Sequence, residues 1–156
     1  MPKSITVLTY GTYDLFHVGH VRLLKRLSEL GDRLIVGCST DEFNQQKGKK
    51  TAMPYEQREE LLLACRYVDH VFPESSWEQK RPDILKYRAD IFAMGDDWSG
   101  HFDELQDVAK VIYLPRTNGI SSSDLKKEIV SRFQIEVSSI VTEVQTLESR
   151  LRSLIE

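Results

Sequence analysis

The stretch Ile5-Thr6-Val7-Leu8-Thr9-Tyr10-Gly11-Thr12-Tyr13-Asp14-Leu15-Phe16-His17-Val18-Gly19-His20 decides how this chain folds. Its first six residues are β-branched or apolar almost without interruption and break at Gly11. A short, continuously apolar run reads as a strand buried on both faces, which is the habit of parallel sheets. Downstream, Val18, Val21, Leu23, Leu24, Leu27 and Leu30 recur at helical spacing, with Gly31 as the stop. The quoted stretch is therefore a strand, a turn and the opening of a helix.

Outward from it the alternation continues. A second strand is expected at Leu34-Ile35-Val36-Gly37-Cys38, followed by a polar loop or weak helical turn over residues 41–51. A helix is expected over residues 55–67, with Pro54 before it and Leu61, Leu62, Ala64 and Cys65 on its apolar side. Short apolar runs at 68–72, 91–94 and 111–114 read as further strands, and residues 122–131 as a closing helix. Strands alternating with helices predict an α/β fold: a Rossmann-like, doubly wound parallel sheet with helices on both faces, plus a C-terminal amphipathic helix. In such sheets ligands gather at the carboxyl ends of the strands, which points to the loops after Tyr10, Ser39, Met94 and Leu114.

Composition narrows the function classes. The 156 residues carry 40% hydrophobic and 29% charged side chains, ordinary for one globular domain with some length to spare. No apolar run reaches the roughly 20 residues of a membrane span, and Met-Pro-Lys-Ser lacks the apolar stretch of a secretory signal, so a cytoplasmic chain is expected. Cys38 and Cys65 have no C-x-x-C spacing and read as small buried hydrophobes. A net charge of −3 speaks against nucleic-acid binding but leaves room for a local anion pocket.

Two segments carry chemistry. In His17-Val18-Gly19-His20, two histidines three residues apart sit where a helix begins, and a helix N-terminus offers free N–H groups and partial positive charge to phosphate. Gly19 removes a side chain where a phosphate would approach. In Leu114-Pro115-Arg116-Thr117-Asn118-Gly119-Ile120-Ser121-Ser122-Ser123, successive hydroxyls can cap a second helix, and Arg116 supplies a planar, always-charged fork for phosphate oxygens.

With both segments in place, the chain resembles the cytidylyltransferase family of the H-x-G-H nucleotidyltransferase superfamily, also marked by an R-T-x-G-I-S-[ST]-[ST] segment. The resemblance is nearest to members that act on glycerol 3-phosphate and runs over residues 5–129. It includes Gly11-Thr12-Tyr13-Asp14, Ser39-Thr40-Asp41-Glu42-Phe43-Asn44, Arg66-Tyr67-Val68-Asp69 and Met94-Gly95-Asp96-Asp97-Trp98. Tyr13 stands where phenylalanine is usual, and Asn118 where glutamate is usual, which removes a charge from a nucleotide-contacting loop.

The resemblance implies transfer of the cytidylyl group of CTP to sn-glycerol 3-phosphate, giving CDP-glycerol and pyrophosphate for teichoic acid or capsular polymers. It implies catalytic roles for His17, His20, Lys47 and Arg116. Nucleotide-binding positions would be Gly11, Thr12, Tyr13, Asp14, His17, Gly19 and His20, then Lys47, Arg66 and Asp97, then Arg116, Thr117, Gly119, Ile120, Ser121, Ser122 and Ser123. Lys49, Lys80, Arg58 and Trp77 match the substrate side. Magnesium or another divalent cation is the implied cofactor, with Asp14 and Asp97 as candidate ligands or ribose contacts. Another polyol phosphate, adenylyl instead of cytidylyl transfer, and a non-catalytic nucleotide-binding module remain the alternatives.

Past residue 130 a different pattern takes over. Phe133, Val137, Ile140, Val144, Leu147, Leu151 and Leu154 alternate at spacings of four and three, the rhythm of coiled-coil a and d positions. Leu125 and Ile129 carry the stripe backwards into the closing helix. The chain is thus expected as a nucleotidyltransferase domain at 1–131 and a coiled-coil or dimerisation helix at 132–156. A homodimer is the expected assembly; a helix packed on its own domain and a link to a further domain are the other readings.

Overall fold

The structure, a computed structural model, describes residues 4–155; residues 1–3 and 156 of the two expected spans lie outside it. Five strands form one sheet: β1 (Thr6–Gly11), β2 (Arg33–Ser39), β3 (His70–Glu74), β4 (Ile91–Gly95) and β5 (Lys110–Leu114). They lie in the order β3-β2-β1-β4-β5, and every pair is parallel. In β1, Val7, Leu8, Thr9 and Tyr10 are all buried, because both faces of the sheet are covered.

Alternation along each strand sorts the core into two layers. Val7, Leu34, Val36 and Cys38 pack with Leu24 and Leu27 of α1 (Val18–Ser28) and Leu62 of α3 (Tyr55–Ala64). Leu8, Tyr10, Ile35, Phe72, Phe92 and Met94 pack on the other face with Ile84 of α4 (Lys80–Tyr87) and with Phe102 and Leu105. The polar stretch after β2 begins as a real helix, α2 (Asp41–Gln46), capped by the Thr40 hydroxyl, which accepts from Phe43 N–H at 3.2 Å.

α4 is a helix that periodicity did not reveal. Its sequence is polar and holds Pro82, yet Pro82 sits in the first turn, where a backbone N–H has no helical partner to lose. Gln79 secures its start, accepting from Ser75 and Ser76 N–H and donating to Asp83 Oδ2 at 2.8 Å.

The strand order reverses between β1 and β4, and this is where the sheet opens. β1 pairs with β2 along its whole length, from Thr6 to Gly11, but with β4 only at Val7–Ile91 and Leu8–Phe92. Thr9–Gly11 and Ala93–Gly95 therefore part at their carboxyl ends, the crevice that doubly wound sheets use for ligands.

The described chain divides into two compact units, one up to Gly119 and one from Ile120 onward. The second is a single helix, α5 (Ser122–Ile155), which joins the two expected C-terminal elements. Among the described residues no helix is long and apolar enough to cross a membrane.

Candidate active site

The turn from β1 into α1 is built under strain and held by charge. Tyr13 and Leu15 both take positive φ, 53° and 50°, a region that side chains avoid unless their surroundings enforce it. Tyr13 is buried in the core, and its ring lies where a Cβ on Gly11 would be, 2.7 Å from the nearest ring atom; only glycine fits at 11. The buried Asp14 carboxylate accepts from Ala52 N–H at 2.8 Å and Met53 N–H at 3.0 Å, tying the turn to the approach to α3.

His17 and His20 form a reciprocal cap on α1. His17 Nδ1 accepts from Gly19 N–H at 3.0 Å, while His20 Nδ1 accepts from His17 N–H at 3.3 Å. The rings stack at 3.9 Å, and His20 also meets Phe16 and Tyr13. Burial lowers the His17 pKa; His20 is pushed down to about 4, by burial first and then by His17, with Asp14 opposing. Both imidazoles are therefore neutral near pH 7. With each Nδ1 engaged as an acceptor, each proton resides on Nε2, so both rings present an Nε2–H donor.

Arg58, expected on the substrate side, lies deep in the protein. Its side chain is fully buried, and its donors go to Thr12 O at 2.8 Å, Ser39 O at 2.7 Å, Met53 O at 3.1 Å and Asp41 Oδ1 at 2.6 Å. It also faces Cys38 Sγ at 3.3 Å, a thiol whose pKa burial pushes up to about 12. Arg58 thus clamps the carboxyl ends of β1 and β2 to the start of α3. Thr12 Oγ1 donates to Asn44 Oδ1 at 2.9 Å, and Asn44 Nδ2 to Ser39 O, so Asn44 joins the same frame.

Ser39 leads to a second cluster, centred on Glu74. This buried carboxylate, at the end of β3, receives Lys80 Nζ at 2.8 Å and the Ser39 hydroxyl, with Lys47 Nζ 3.7 Å away. Lys47 Nζ donates to Ser39 Oγ at 2.9 Å and lies 4.2 Å from the Phe43 ring centre. Desolvation lowers the Lys47 pKa, with Glu74 opposing and Lys49 and Lys80 adding to the fall. Trp77 covers the cluster: its ring lies 4.7 Å from Lys80 Nζ, 5.5 Å from Lys47 Nζ and 5.3 Å from Trp98. Lys80, expected to hold an acceptor phosphate, is only 3% exposed and bound to Glu74, so its charge is already answered inside the protein.

The second motif begins against α1. Arg26 Nη1 donates to Pro115 O at 2.8 Å and Nη2 to Thr117 Oγ1 at 3.4 Å, while Thr117 Oγ1 donates to Gly19 O at 3.5 Å. Thr117 thus lies beside the histidine motif, and Arg116 is exposed next to it. Gly119 has φ +82°, which favours glycine there. In the second unit Ser121 caps α5, accepting from Asp124 N–H at 3.0 Å and donating to Asp124 Oδ2 at 2.6 Å; Ile120 and Ser122 are half-buried and Ser123 is exposed.

Lys49, Arg66 and Asp97 are exposed and belong to neither cluster by direct bonding; Asp97 lies on the short turn Asp96–Trp98 after β4. Among the described residues no group of three His, Cys, Asp or Glu side chains is arranged to hold a metal. Sequence reasoning missed Glu74, Arg26, Asn44 and Asp41 as members of this site. Glu74, an acidic residue just past the apolar run at 68–72, is the one local signal that could have pointed to them.

The chain is similar to known proteins over most of its length. Residues 8–128 match the family described as Cytidylyltransferase-like. Glycerol-3-phosphate cytidylyltransferase of Bacillus subtilis (strain 168) is 56% identical over 123 residues, covering 79% of this chain and 95% of the relative. The enzyme of the same name from Staphylococcus aureus (strain NCTC 8325 / PS 47) is 55% identical over 126 residues, covering 81% and 96%. The crystal structure of the lipopolysaccharide core biosynthesis protein from Thermoplasma volcanium GSS1 superposes with a TM-score of 0.67 at 24% identity, over 74% of this chain and all of that one, which establishes the shared fold.

Proposed function

The chain belongs to the cytidylyltransferase-like family, and from that premise we propose that it transfers the cytidylyl group of CTP to sn-glycerol 3-phosphate, releasing CDP-glycerol and pyrophosphate. The observation that carries the chemistry is the His17–His20 cap, two neutral Nε2–H donors at a helix N-terminus beside the crevice between β1 and β4. The acceptor follows from the two relatives that match this chain over nearly their whole length.

In the reaction, a phosphate oxygen of glycerol 3-phosphate attacks the α-phosphorus of CTP. A new P–O bond forms, the bond to the β-phosphate bridging oxygen breaks, and pyrophosphate leaves with that electron pair. The phosphate monoester is already ionised near neutral pH, its second pKa being about 6, so no strong general base is needed. The enzyme's work is to bring two anions together and to answer the charge that shifts toward pyrophosphate. His17 and His20 donate from Nε2 to phosphate oxygens, supported by the N-terminal N–H groups of α1. Arg116 and the exposed Lys49 and Arg66 supply mobile positive charge, whereas Lys47 and Lys80 are held by Glu74 and shape the pocket under Trp77. Transfer is direct; rapid-quench trapping of a nucleotidylated protein would overturn this.

Magnesium is proposed as the companion of the triphosphate, where it would neutralise phosphate charge. Both Asp14 oxygens accept backbone N–H groups and Asp97 stands alone, so the described residues do not fit a cage that holds the ion without nucleotide. A cytoplasmic location, a role in supplying teichoic acid or capsular polymers, and a homodimer to which α5 contributes belong to the same proposal.

The deciding experiment measures pyrophosphate release with each of the four nucleoside triphosphates against a panel of polyol phosphates. Turnover confined to CTP with glycerol 3-phosphate is expected. Strong turnover with another acceptor keeps the mechanism and changes the substrate; CTP binding without turnover replaces the enzyme by a binding module. For the assembly, a chain ending at Ser131 should lose dimer mass while keeping turnover; unchanged mass in solution removes α5 from the interface.

A further inference from the structure

The heptad stripe of α5 from Phe133 to Leu154 lies beyond residue 128, where the family match ends, so the shared transferase fold does not account for it. Every stripe residue from Phe133 to Leu154 is exposed, from 42% at Val137 to 82% at Leu154. Away from the stripe, Ser138, Thr142 and Thr146 donate back to the carbonyls of the preceding turn. Seven positions at a mean spacing of 3.5 residues form a seam for another helix.

We propose that this seam takes a second copy of the chain and that the two α5 helices run antiparallel, in a register centred on Thr142. This deepens the homodimer reading above and rests on it. Two independent features select the orientation.

The first is apolar pairing. With Val137 and Val144 at a positions and Phe133, Ile140 and Leu147 at d positions, an antiparallel register about Thr142 sets Val137 against the partner's Leu147 and Ile140 against the partner's Val144. Phe133 then meets the partner's Leu151, and the stripe is filled from end to end on both chains.

The second is charge. The g positions hold Glu136, Glu143 and Arg150. In parallel coiled coils a g residue faces the e residue of the partner's next heptad, which would oppose Glu143 to the partner's Glu148 on both sides of the seam. In the antiparallel register g faces g: Glu136 meets the partner's Arg150 twice, once at each end, against a single central contact between Glu143 and its own copy, whereas the parallel seam has two Glu–Glu contacts and no opposite-charge pair. No buried polar residue sits on the seam to impose the parallel alternative.

The test uses the full-length chain with Cys65→Ser, leaving Cys38 buried in the core. Val137→Cys and Leu147→Cys are made separately, and disulfide formation is followed alone and in a one-to-one mixture. Each variant alone should stay unlinked, because in this register like positions lie about 15 Å apart along the axis. The mixture should yield a cross-linked dimer.

Self-linking of Val137→Cys would establish parallel helices and overturn the proposal. As a second arm, Glu136→Arg should weaken dimerisation roughly tenfold by sedimentation, and Glu136→Arg with Arg150→Glu should restore it. No rescue counts against the register. The two readings fail separately. If truncation after Ser131 leaves the mass unchanged, the α5 dimer itself is gone. If truncation lowers the mass but Val137→Cys links to itself, only the antiparallel orientation is lost.

Discussion

Arg58 donates from Nη2 to Asp41 Oδ1 at 2.6 Å, and this pair fastens the start of α2 to the inner side of α3, directly beneath the turn that carries the histidine motif. The guanidinium has no exposed atoms, and its remaining donors reach carbonyls on three separate segments. Lysine has neither the fork nor enough donors to replace it. Arg58→Lys should therefore lower stability by about 3 kcal/mol and depress turnover even where the variant is fully folded. Denaturant unfolding together with kcat at saturating substrates checks this; a variant with wild-type stability would show that the clamp is dispensable.

The histidine cap separates folding from chemistry. His17→Ala removes one capping bond at the start of α1, which costs about 1 kcal/mol. Turnover should fall at least about a hundredfold for His17→Ala or His20→Ala, since each change deletes a donor to shifting phosphate charge. His17→Asn is the useful control, because asparagine restores the cap without the imidazole Nε2–H. Recovery of the melting temperature without recovery of kcat is the expected pattern.

The pH behaviour of His20 follows from its displaced pKa. Its folded value is about 4, below the ordinary 6.5, so the unfolded chain binds a proton that the folded one resists. Stability from this group is complete above about pH 6.5 and is lost as pH falls toward 4, by about 3 kcal/mol at most. Turnover should accordingly show no acid limb at 6.5 that is assignable to His20. An NMR titration placing the His20 ring near 6.5 would contradict the neutral-donor role.

Glu74 holds two ammonium groups, so its loss should cost more than the loss of either lysine. Glu74→Gln leaves Lys80 buried without a counter-charge, and about 3 kcal/mol of destabilisation is expected. Lys47→Met, which leaves the Lys80–Glu74 bond in place, should cost less. Adding Lys80→Met to Glu74→Gln should recover part of the loss, a non-additivity that a double-mutant cycle measures directly.

Removing divalent cations should abolish turnover and leave the nucleotide-free protein as stable as before. The reason is that the described residues contain no three-ligand cluster through which a metal could support the fold. A large drop in melting temperature on chelation, without nucleotide, would point instead to a structural metal.

Much of this was legible in local patterns. The run from Ile5 to Tyr10 announced a two-sided buried strand, and β1 is one; His17-Val18-Gly19-His20 announced a helix N-terminus, and α1 begins at Val18. α4 was not legible, because its burial rests on Ile84 alone among its apolar residues while Lys80 and Asp83 turn inward to distant partners. The buried partners of Arg58 and Lys80 were not legible for the same reason. A counter-ion held by a distant segment leaves no trace in the local pattern around a basic residue.

By itself the sequence determined the α/β class, the position of the histidine motif at a helix start and the heptad stripe, because strand burial, helix phase and coiled-coil spacing are all periodic and local. The tertiary structure alone decided which charges are buried against internal partners and which stay exposed. Arg58 meets Thr12 across 46 residues and Ser39 meets Glu74 across 35, separations at which no periodicity operates. It also decided the tautomers of His17 and His20, since only the folded cap shows that both Nδ1 atoms are already accepting and that Nε2 must carry the proton.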